Sequence, residues 1–351
     1  MDTQTDTLKE RWNKLKEEQP KLRIRNAAEE LGVSEAELLA TRIGDGVTLL
    51  RPEFKSILGK LEALGYVMAL TRNDDVVHER KGIYLNPSLN NSHVGLFVGE
   101  DIDLRIFWQP WAFAFAVEEI ARKQLRKSLQ FFAKNGMAVH KIYLTEKSNQ
   151  EAFDQLVAEF QEPSQVANFF IQALPQPDPE KPDSEIDQAG FQESWCNLKD
   201  THHFFGMLKK YRLTRTQALR LAPEGNYAVP VQPVAMRKVL QLAAERQVPI
   251  MAFVGNPGMI QIHTGPVKKL LEYGDWYNVM DPAFNLHVNE PSIQQCWVVR
   301  KPTEDGVVTA LECFNQRGEQ VLQFFGQRKP GIPEKPEWTS LMADVEIELK
   351  Q

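Results

Sequence analysis

Cysteine is scarce in this chain. Its three residues, Cys196, Cys296 and Cys313, show no CxxC spacing, which excludes a disulfide framework and a thiolate metal cluster and leaves three buried, reduced thiols as the expectation. No run approaches the roughly 18 apolar residues that a membrane span requires. The first residues, Met1 to Trp12, lack the charged-then-apolar order of a secretory signal, so a cytoplasmic protein is expected. The histidines show no HxxxH or HExxH pair, and no GxGxxG run occurs; a conventional centre built on paired histidines and a nucleotide-type fingerprint are both missing. A net charge of −6 provides no general attraction to nucleic acid or to an anionic membrane. What remains is an ordinary globular composition, 42% hydrophobic and 25% charged, able to bury a normal core.

What the sequence does contain is itself, twice. Trp12-x-x-Leu15-Lys16 returns as Trp195-x-x-Leu198-Lys199, and Leu104 to Val117 returns as Leu286 to Val299. Leu129-x-x-Phe132 through Gly136 to Val139 matches Leu311-x-x-Phe314 through Gly318 to Val321, at the same 182-residue offset as the preceding pair. A period this long means two copies of a domain, whereas solenoids and propellers repeat every 20 to 50 residues or so. Between the copies, Leu174 to Pro182 places four prolines in eight positions, which prevents a helix and favours an extended spacer. The expected organisation is an N-terminal repeat over 1–174, a proline-rich linker over 175–190 and a C-terminal repeat over 191–351. Clefts between paired domains are favoured ligand sites.

Within each copy helices come first. Thr7 to Glu18, Asn26 to Leu31, Glu35 to Thr41 and Glu53 to Leu64 are expected as helices, with Ser34 as an N-cap. In the second copy Phe204 to Tyr211, Arg215 to Leu221 and Val234 to Arg246 follow, with Thr214 in the place of Ser34. Apolar and β-branched runs then predict strands: Tyr66 to Thr71, His93 to Val98, Ile102 to Trp108, Pro249 to Val254, Met259 to His263 and Gln294 to Val299. Turns are expected at 256–258 and 316–318. Strands that follow strands imply antiparallel sheet, so each half reads as an α+β unit of helices followed by a meander.

Three candidate sites arise. Ala27 to Leu39 has helix-turn-helix spacing, but Glu35 and Glu37 in the second helix carry the wrong charge for DNA, so a structural helix pair is expected and nucleic-acid binding is not. The segment Asp200-Thr-His-His-Phe-Phe-Gly206 has no counterpart histidines, since Leu22 and Arg23 stand opposite His202 and His203; one asymmetric site follows. If one helix runs through it, Trp195, Leu198, His202 and Phe205 share a face, His202 points inward, and His203 is turned about 100° away. If Asp200 caps a new helix instead, His203 competes. An imidazole among aromatic residues, with space left by Gly206, is what an axial haem ligand requires; an ordinary histidine is the alternative. Arg105, in an apolar strand, and Arg328, after Gln323-Phe-Phe-Gly-Gln, offer guanidinium forks to carboxylates, or else simply form surface salt bridges.

The duplication, the Asp200 to Phe205 segment, the run Phe324-Phe-Gly-Gln-Arg-Lys-Pro-Gly-Ile-Pro333 and the sequence Leu70-Thr-Arg-Asn73 followed by His78-Glu-Arg80 together resemble the bacterial HemS/ChuS/HmuS family, over nearly the whole chain. The resemblance implies a cytoplasmic haem-binding protein acting after haem uptake, with two similar halves, each a large antiparallel sheet with helices, stacked around a haem cleft. It implies His202 as the axial iron ligand, with His203 as an alternative. Arg105 and Arg328 would lie on the distal side near the iron-bound water or oxygen and the propionates, Phe253 would wall the pocket, Gln323 would offer a hydrogen bond, and Lys301, or equally Arg300 beside it, would be a further propionate partner. Where the family can show a tyrosine near that glutamine, this chain has Phe324 and Phe325. Haem would be both cofactor and substrate, degraded with electrons from an external donor, a reductase or a small reductant. The alternative is a carrier that receives haem after import and delivers it intact to a separate haem oxygenase. A monomer is expected.

Overall fold

The computed structural model describes residues 6–121, 123–166, 170–173, 179–329 and 331–351. Of the expected proline-rich spacer, residues 175–178 lie outside the described residues. The chain forms two compact units: Met1–Arg72 with Glu79–Pro175 and Asn256–Ile260, and Asn73–His78 with Gln176–Gly255 and Gln261–Gln351.

The first part of the chain folds into helices α1 (Leu8–Glu18), α2 (Ile24–Leu31), α3 (Glu35–Ala40), α4 (Phe54–Leu58) and α5 (Gln150–Phe160). Its strands are β1 (Val47–Leu50), β2 (Gly65–Arg72), β3 (Val76–Gly82), β4 (Pro87–Ser88), β5 (Val94–Val98), β6 (Asp103–Phe107), β7 (Trp111–Ala121), β8 (Gln124–Ala133) and β9 (Ala138–Ser148). In the first unit β1, β7, β8, β9 and β2 pair in that order, all antiparallel, and β4, β5 and β6 form a meander. Gly32 ends α2 in the left-handed conformation (φ 68°), which an L side chain adopts reluctantly. Ser34 then caps α3 through a reciprocal box with Glu37. The helix expected over Glu53 to Leu64 is broken at Gly59, and its second half is a single 3-10 turn, Leu61–Leu64; glycine is a poor helix interior.

The remainder contains α6 (Gln188–Cys196), α7 (His203–Tyr211), α8 (Arg215–Arg220), α9 (Ala235–Glu245) and α10 (Pro336–Leu349). The strands are β10 (Ala228–Val231), β11 (Ile250–Asn256), β12 (Met259–Gly265), β13 (Leu270–Tyr273), β14 (Trp276–Met280), β15 (Phe284–Asn289), β16 (Gln295–Thr303), β17 (Gly306–Phe314) and β18 (Gln320–Gly326). In the second unit β10, β16, β17, β18 and β11 pair antiparallel, and β13, β14 and β15 form the meander. Each strand thus has its counterpart nine strands later, and the fold is a duplicated α+β unit with large antiparallel sheets. Thr214 caps α8 as Ser34 caps α3.

Three expectations need correction. The meander does not end either copy, because α5 and α10 follow it. Asn149 caps α5, and its buried Phe153, Leu156 and Phe160 recur at helical spacing. In α10, Trp338, Leu341, Met342 and Val345 pack with α9 against Ile250, Val298 and Leu311. Cys196 is exposed rather than buried, at the end of α6; Cys296 and Cys313 are buried. Finally, Gln188 to Gly190, assigned to the spacer, form the first turn of α6 behind the Asp187 cap.

Two asparagines at equivalent places tie loops to strands. Asn73 Nδ2 donates to the carbonyls of Gly255 (3.1 Å) and Val321 (2.8 Å) in the second unit. Asn256 Nδ2 donates to those of Arg72 (3.0 Å) and Val139 (2.9 Å) in the first. Replacing either by alanine strands partly buried backbone groups, which costs about 1–3 kcal/mol. Urea unfolding should show a lowered midpoint with an unchanged m-value, and the two substitutions should have similar effects.

Candidate functional site

The segment with paired histidines is a helix start, not a helix interior. Helix α6 stops at Cys196, and Asn197 Nδ2 bonds back to the Glu193 carbonyl (2.9 Å). The chain resumes as α7 only at His203. The two apolar faces therefore do not run together, and His202 does not point inward: its side chain is 83% exposed. The inward face of α7 is Phe204, Met207 and Leu208, packed with Phe191, Trp195, Val299 and Phe314. Asp200 Oδ1 accepts from the His202 backbone N–H (2.8 Å) and meets ring Nδ1 at 2.6 Å. The backbone bond, together with the imidazole, holds the Asp200 carboxyl below its ordinary value against the opposing effect of burial. A carboxylate only accepts, so the neutral His202 ring carries its proton on Nδ1 and leaves the Nε2 lone pair outward. A metal-binding histidine needs such a partner to fix its tautomer and raise its basicity.

Around His202 the helix surface is open. His203 is also exposed. Phe205 is 62% exposed with the Lys209 ammonium 4.6 Å from its ring centroid. A Cβ built on Gly206 would meet nothing within 4 Å. His202 and Gly206 stand about one turn apart, so the helix itself leaves room beside the imidazole for a flat group. The residues present fit an axial haem ligand in this respect.

Several other candidate residues converge on one face of the second unit's sheet. Along β17, Leu311 and Cys313 face the α9–α10 core, and strand alternation turns Glu312 to the side of α7 and α8. Glu312 is fully buried. It accepts from Arg215 at both oxygens (2.6 and 2.8 Å), from Lys301 Nζ (2.9 Å) and from Gln323 Nε2 (2.9 Å). Burial opposes its ionisation, but the Arg215 and Lys301 cations outweigh that and bring its pKa down to about 2. Lys301 is lowered to about 8, by burial first, with Glu312 opposing and Arg215 adding to the effect; it remains protonated at neutral pH. Phe253 lies opposite Gln323 across the β11–β18 pair, with its ring 5.1 Å from that of Phe325. Lys301 and Gln323, expected to serve a ligand directly, are thus bound to a buried carboxylate.

The two arginines stand elsewhere. Arg105 is on β6 in the first unit, ion-paired with Asp103 and bonded to the Leu104 carbonyl. Burial raises the Asp103 pKa, and Arg105 opposes the rise. Arg328, beyond β18 in the second unit, reaches Asp305 in the β16–β17 turn (3.4 Å). Glu312, Arg215 and Phe204 were not singled out from the sequence. A readable signal existed in Glu312, the single charged residue in the run Val307 to Phe314.

The remaining features are structural. In the helix-turn-helix-like pair, Glu37 is spent on the α3 cap and Glu35 is buried against Arg72 and Lys141. His263 stacks on Phe284 (3.6 Å between centroids), and His287 Nδ1 lies 2.7 Å from Asn278 Oδ1. His140 is buried between Thr71 Oγ1 (2.8 Å) and the Tyr84 hydroxyl (2.6 Å), and burial lowers its pKa from 6.5 to about 3. Below pH 6.5 the unfolded chain takes up a proton that the folded chain refuses, so stability is lost as pH falls from 6.5 towards 3. The loss is on the order of 4 kcal/mol. Replacing His140 by glutamine should flatten this limb of the stability–pH curve measured by denaturant titration.

A twofold copy of one α+β unit, with the carboxylate-backed, outward-facing imidazole of His202 in the second copy, defines a duplicated protein with an asymmetric candidate site. Comparison with known proteins gives the class its name: the family model for the haemin-degrading HemS.ChuX domain matches the chain twice, at residues 32–160 and 212–345. The chain belongs to the HemS family. It is 38% identical to the hemin transport protein HmuS of Yersinia pestis over 96% of both chains. It is 44% identical to holo-PhuS, a heme-binding protein from Pseudomonas aeruginosa, with a TM-score of 0.94 over 96% of this chain and 98% of that one. With the heme degrading enzyme ChuS of Escherichia coli O157:H7 the identity is 34% and the TM-score 0.90, over 96% and 98%. Among the described residues no helix is long and apolar enough to cross a membrane.

Proposed function

We propose that this chain binds haem through Nε2 of His202 and breaks the haem ring to release iron, with haem as both ligand and substrate. The observation that carries the reading is the bond that His202 Nδ1–H donates to Asp200 Oδ1 at 2.6 Å, which leaves Nε2 directed outward beside the open surface at Gly206. Likeness to PhuS, a heme-binding protein, and to ChuS, a heme degrading enzyme, supports it. Bound haem supplies the redox chemistry of its iron. The protein's own residues hold and orient: His202 ligates, Asp200 fixes its tautomer, and His203 is the reserve ligand. Phe253 and Phe325 contribute apolar surface, and Gln323 and Lys301 act from the Glu312 cluster. Arg105 and Arg328 provide positive charge for propionates and for negative charge that develops during ring cleavage. Electrons come from an external reductase, since no flavin or nicotinamide fingerprint is present. In this reading the protein is cytoplasmic and receives haem after import.

One observation favours a second reading, a carrier that passes intact haem to a separate oxygenase: Arg105 and Arg328 are already paired with Asp103 and Asp305. The hemin transport protein HmuS is a relative consistent with it. The deciding experiment loads the protein with haem anaerobically, then adds reductant and air in the presence of catalase while the Soret band and free iron are recorded. Decay of the band with iron release supports the enzyme. A stable band, with haem transferred intact to an added oxygenase, supports the carrier.

A further inference from the structure

The buried ion clusters of the two units occupy equivalent positions with their charges rearranged. On β8 and β9, Gln130 stands opposite Lys141; on β17 and β18, Glu312 stands opposite Gln323. On the helices after the Ser34 and Thr214 caps, Glu35 in the first unit is replaced by Arg215 in the second. The acid sits on the helix in one unit and on the strand in the other. The rearrangement changes what the cations touch. In the first unit Lys141 lies 5.7 Å from the ring of Phe132, a strand residue. In the second, Lys301 Nζ and Arg215 Cζ lie 4.5 and 4.9 Å from the ring of Phe204, in the first turn of α7. Trp195 meets the same ring edge-on at 4.7 Å. Phe204 is two residues beyond His202 and adjacent to His203.

Resting on the reading that His202 ligates haem, we propose that Glu312 is the positioning residue that makes His202, rather than His203, the ligand-bearing imidazole, by holding Arg215 and Lys301 against the Phe204 ring. Two cations gathered by one buried carboxylate attract the ring electrostatically, and the contact fixes the rotation of the first helical turn. Successive helical residues point about 100° apart, so a turn freed from this clamp can exchange one histidine for the other. The arrangement occurs in the unit that has the paired histidines; in the first unit the buried Lys141 lies against a strand ring instead.

The test uses the full chain with Glu312→Gln, which keeps the shape and removes the charge, and with Phe204→Leu, which keeps an apolar anchor and removes the π face, should the first variant fold poorly. His203→Ala is added to each and to the native background. In the native background His203→Ala, which removes the reserve ligand, sets the reference affinity and Soret spectrum. In either clamp variant its effect on affinity should be about tenfold larger than in that reference, the coupling expected of residues in one network, and it should remove a new spectral component. A uniform weakening of binding in a folded clamp variant, with the effect of His203→Ala no larger than in the native background, overturns the proposal, because it would show a merely structural role. In haem-free protein, the 15N shifts of His202 should report the Nδ1–H tautomer, and a mixture of tautomers in Glu312→Gln or Phe204→Leu. If native protein binds no haem but the tautomer shift appears, the positioning role stands and the haem reading fails; unchanged 15N shifts overturn the positioning role.

Discussion

His202→Ala is expected to abolish the native Soret spectrum in an anaerobic haem titration and to weaken binding by at least about 100-fold, the upper end of what losing only a ligand's supporting partner costs. The side chain is 83% exposed and packs against little, so removing it should leave the unfolding midpoint nearly unchanged; surface substitutions usually lie within about 0.5 kcal/mol. That contrast separates a ligand from a structural residue. Asp200→Asn removes the carboxylate while retaining a similar side chain, and should weaken binding by about 10–100-fold. Retention of the native spectrum and affinity in His202→Ala would remove His202 as the ligand.

Glu35→Ala should produce the largest loss of stability. Its carboxylate is buried in the first unit, between the Lys141 ammonium and the Arg72 guanidinium. Burial opposes its ionisation, but those two cations outweigh it and keep the pKa below the ordinary value. Removing the acid leaves Lys141 buried without its counter-charge, at a cost of about 3–5 kcal/mol, a large share of the 5–15 kcal/mol or so available to a typical domain. Glu35→Met combined with Lys141→Met should recover most of the loss, since a buried pair replaced by apolar groups is often neutral. The contribution is present above the unfolded carboxylate's pKa and is lost as pH falls through the lower folded value, so the native protein should lose stability in acid more steeply than the double variant. Chemical denaturation at several pH values measures both effects; a single variant as stable as the native chain would show that Lys141 finds solvent or another partner.

The sequence by itself determined the duplication, the α+β class, the caps at Ser34 and Thr214, and the position of most strands, because these depend on short-range matters: a period of two or 3.6, a hydroxyl before a helix, a glycine in a turn. It also identified the asymmetric histidines, since one copy could be read against the other. The direction of His202 was decided by tertiary structure. Whether α6 and α7 form one helix depends on the Asn197 and Asp200 bonds and on how Phe204 packs, and helical periodicity carried across that break turns the ring to the wrong side. The engagement of Lys301 and Gln323 with Glu312 was likewise invisible, because residues 301, 312 and 323 meet only when β16, β17 and β18 pair in register. Periodicity reports which face a residue takes along its own strand. Which charges then share that face, and so which are available to a ligand, is settled only when the strands come together.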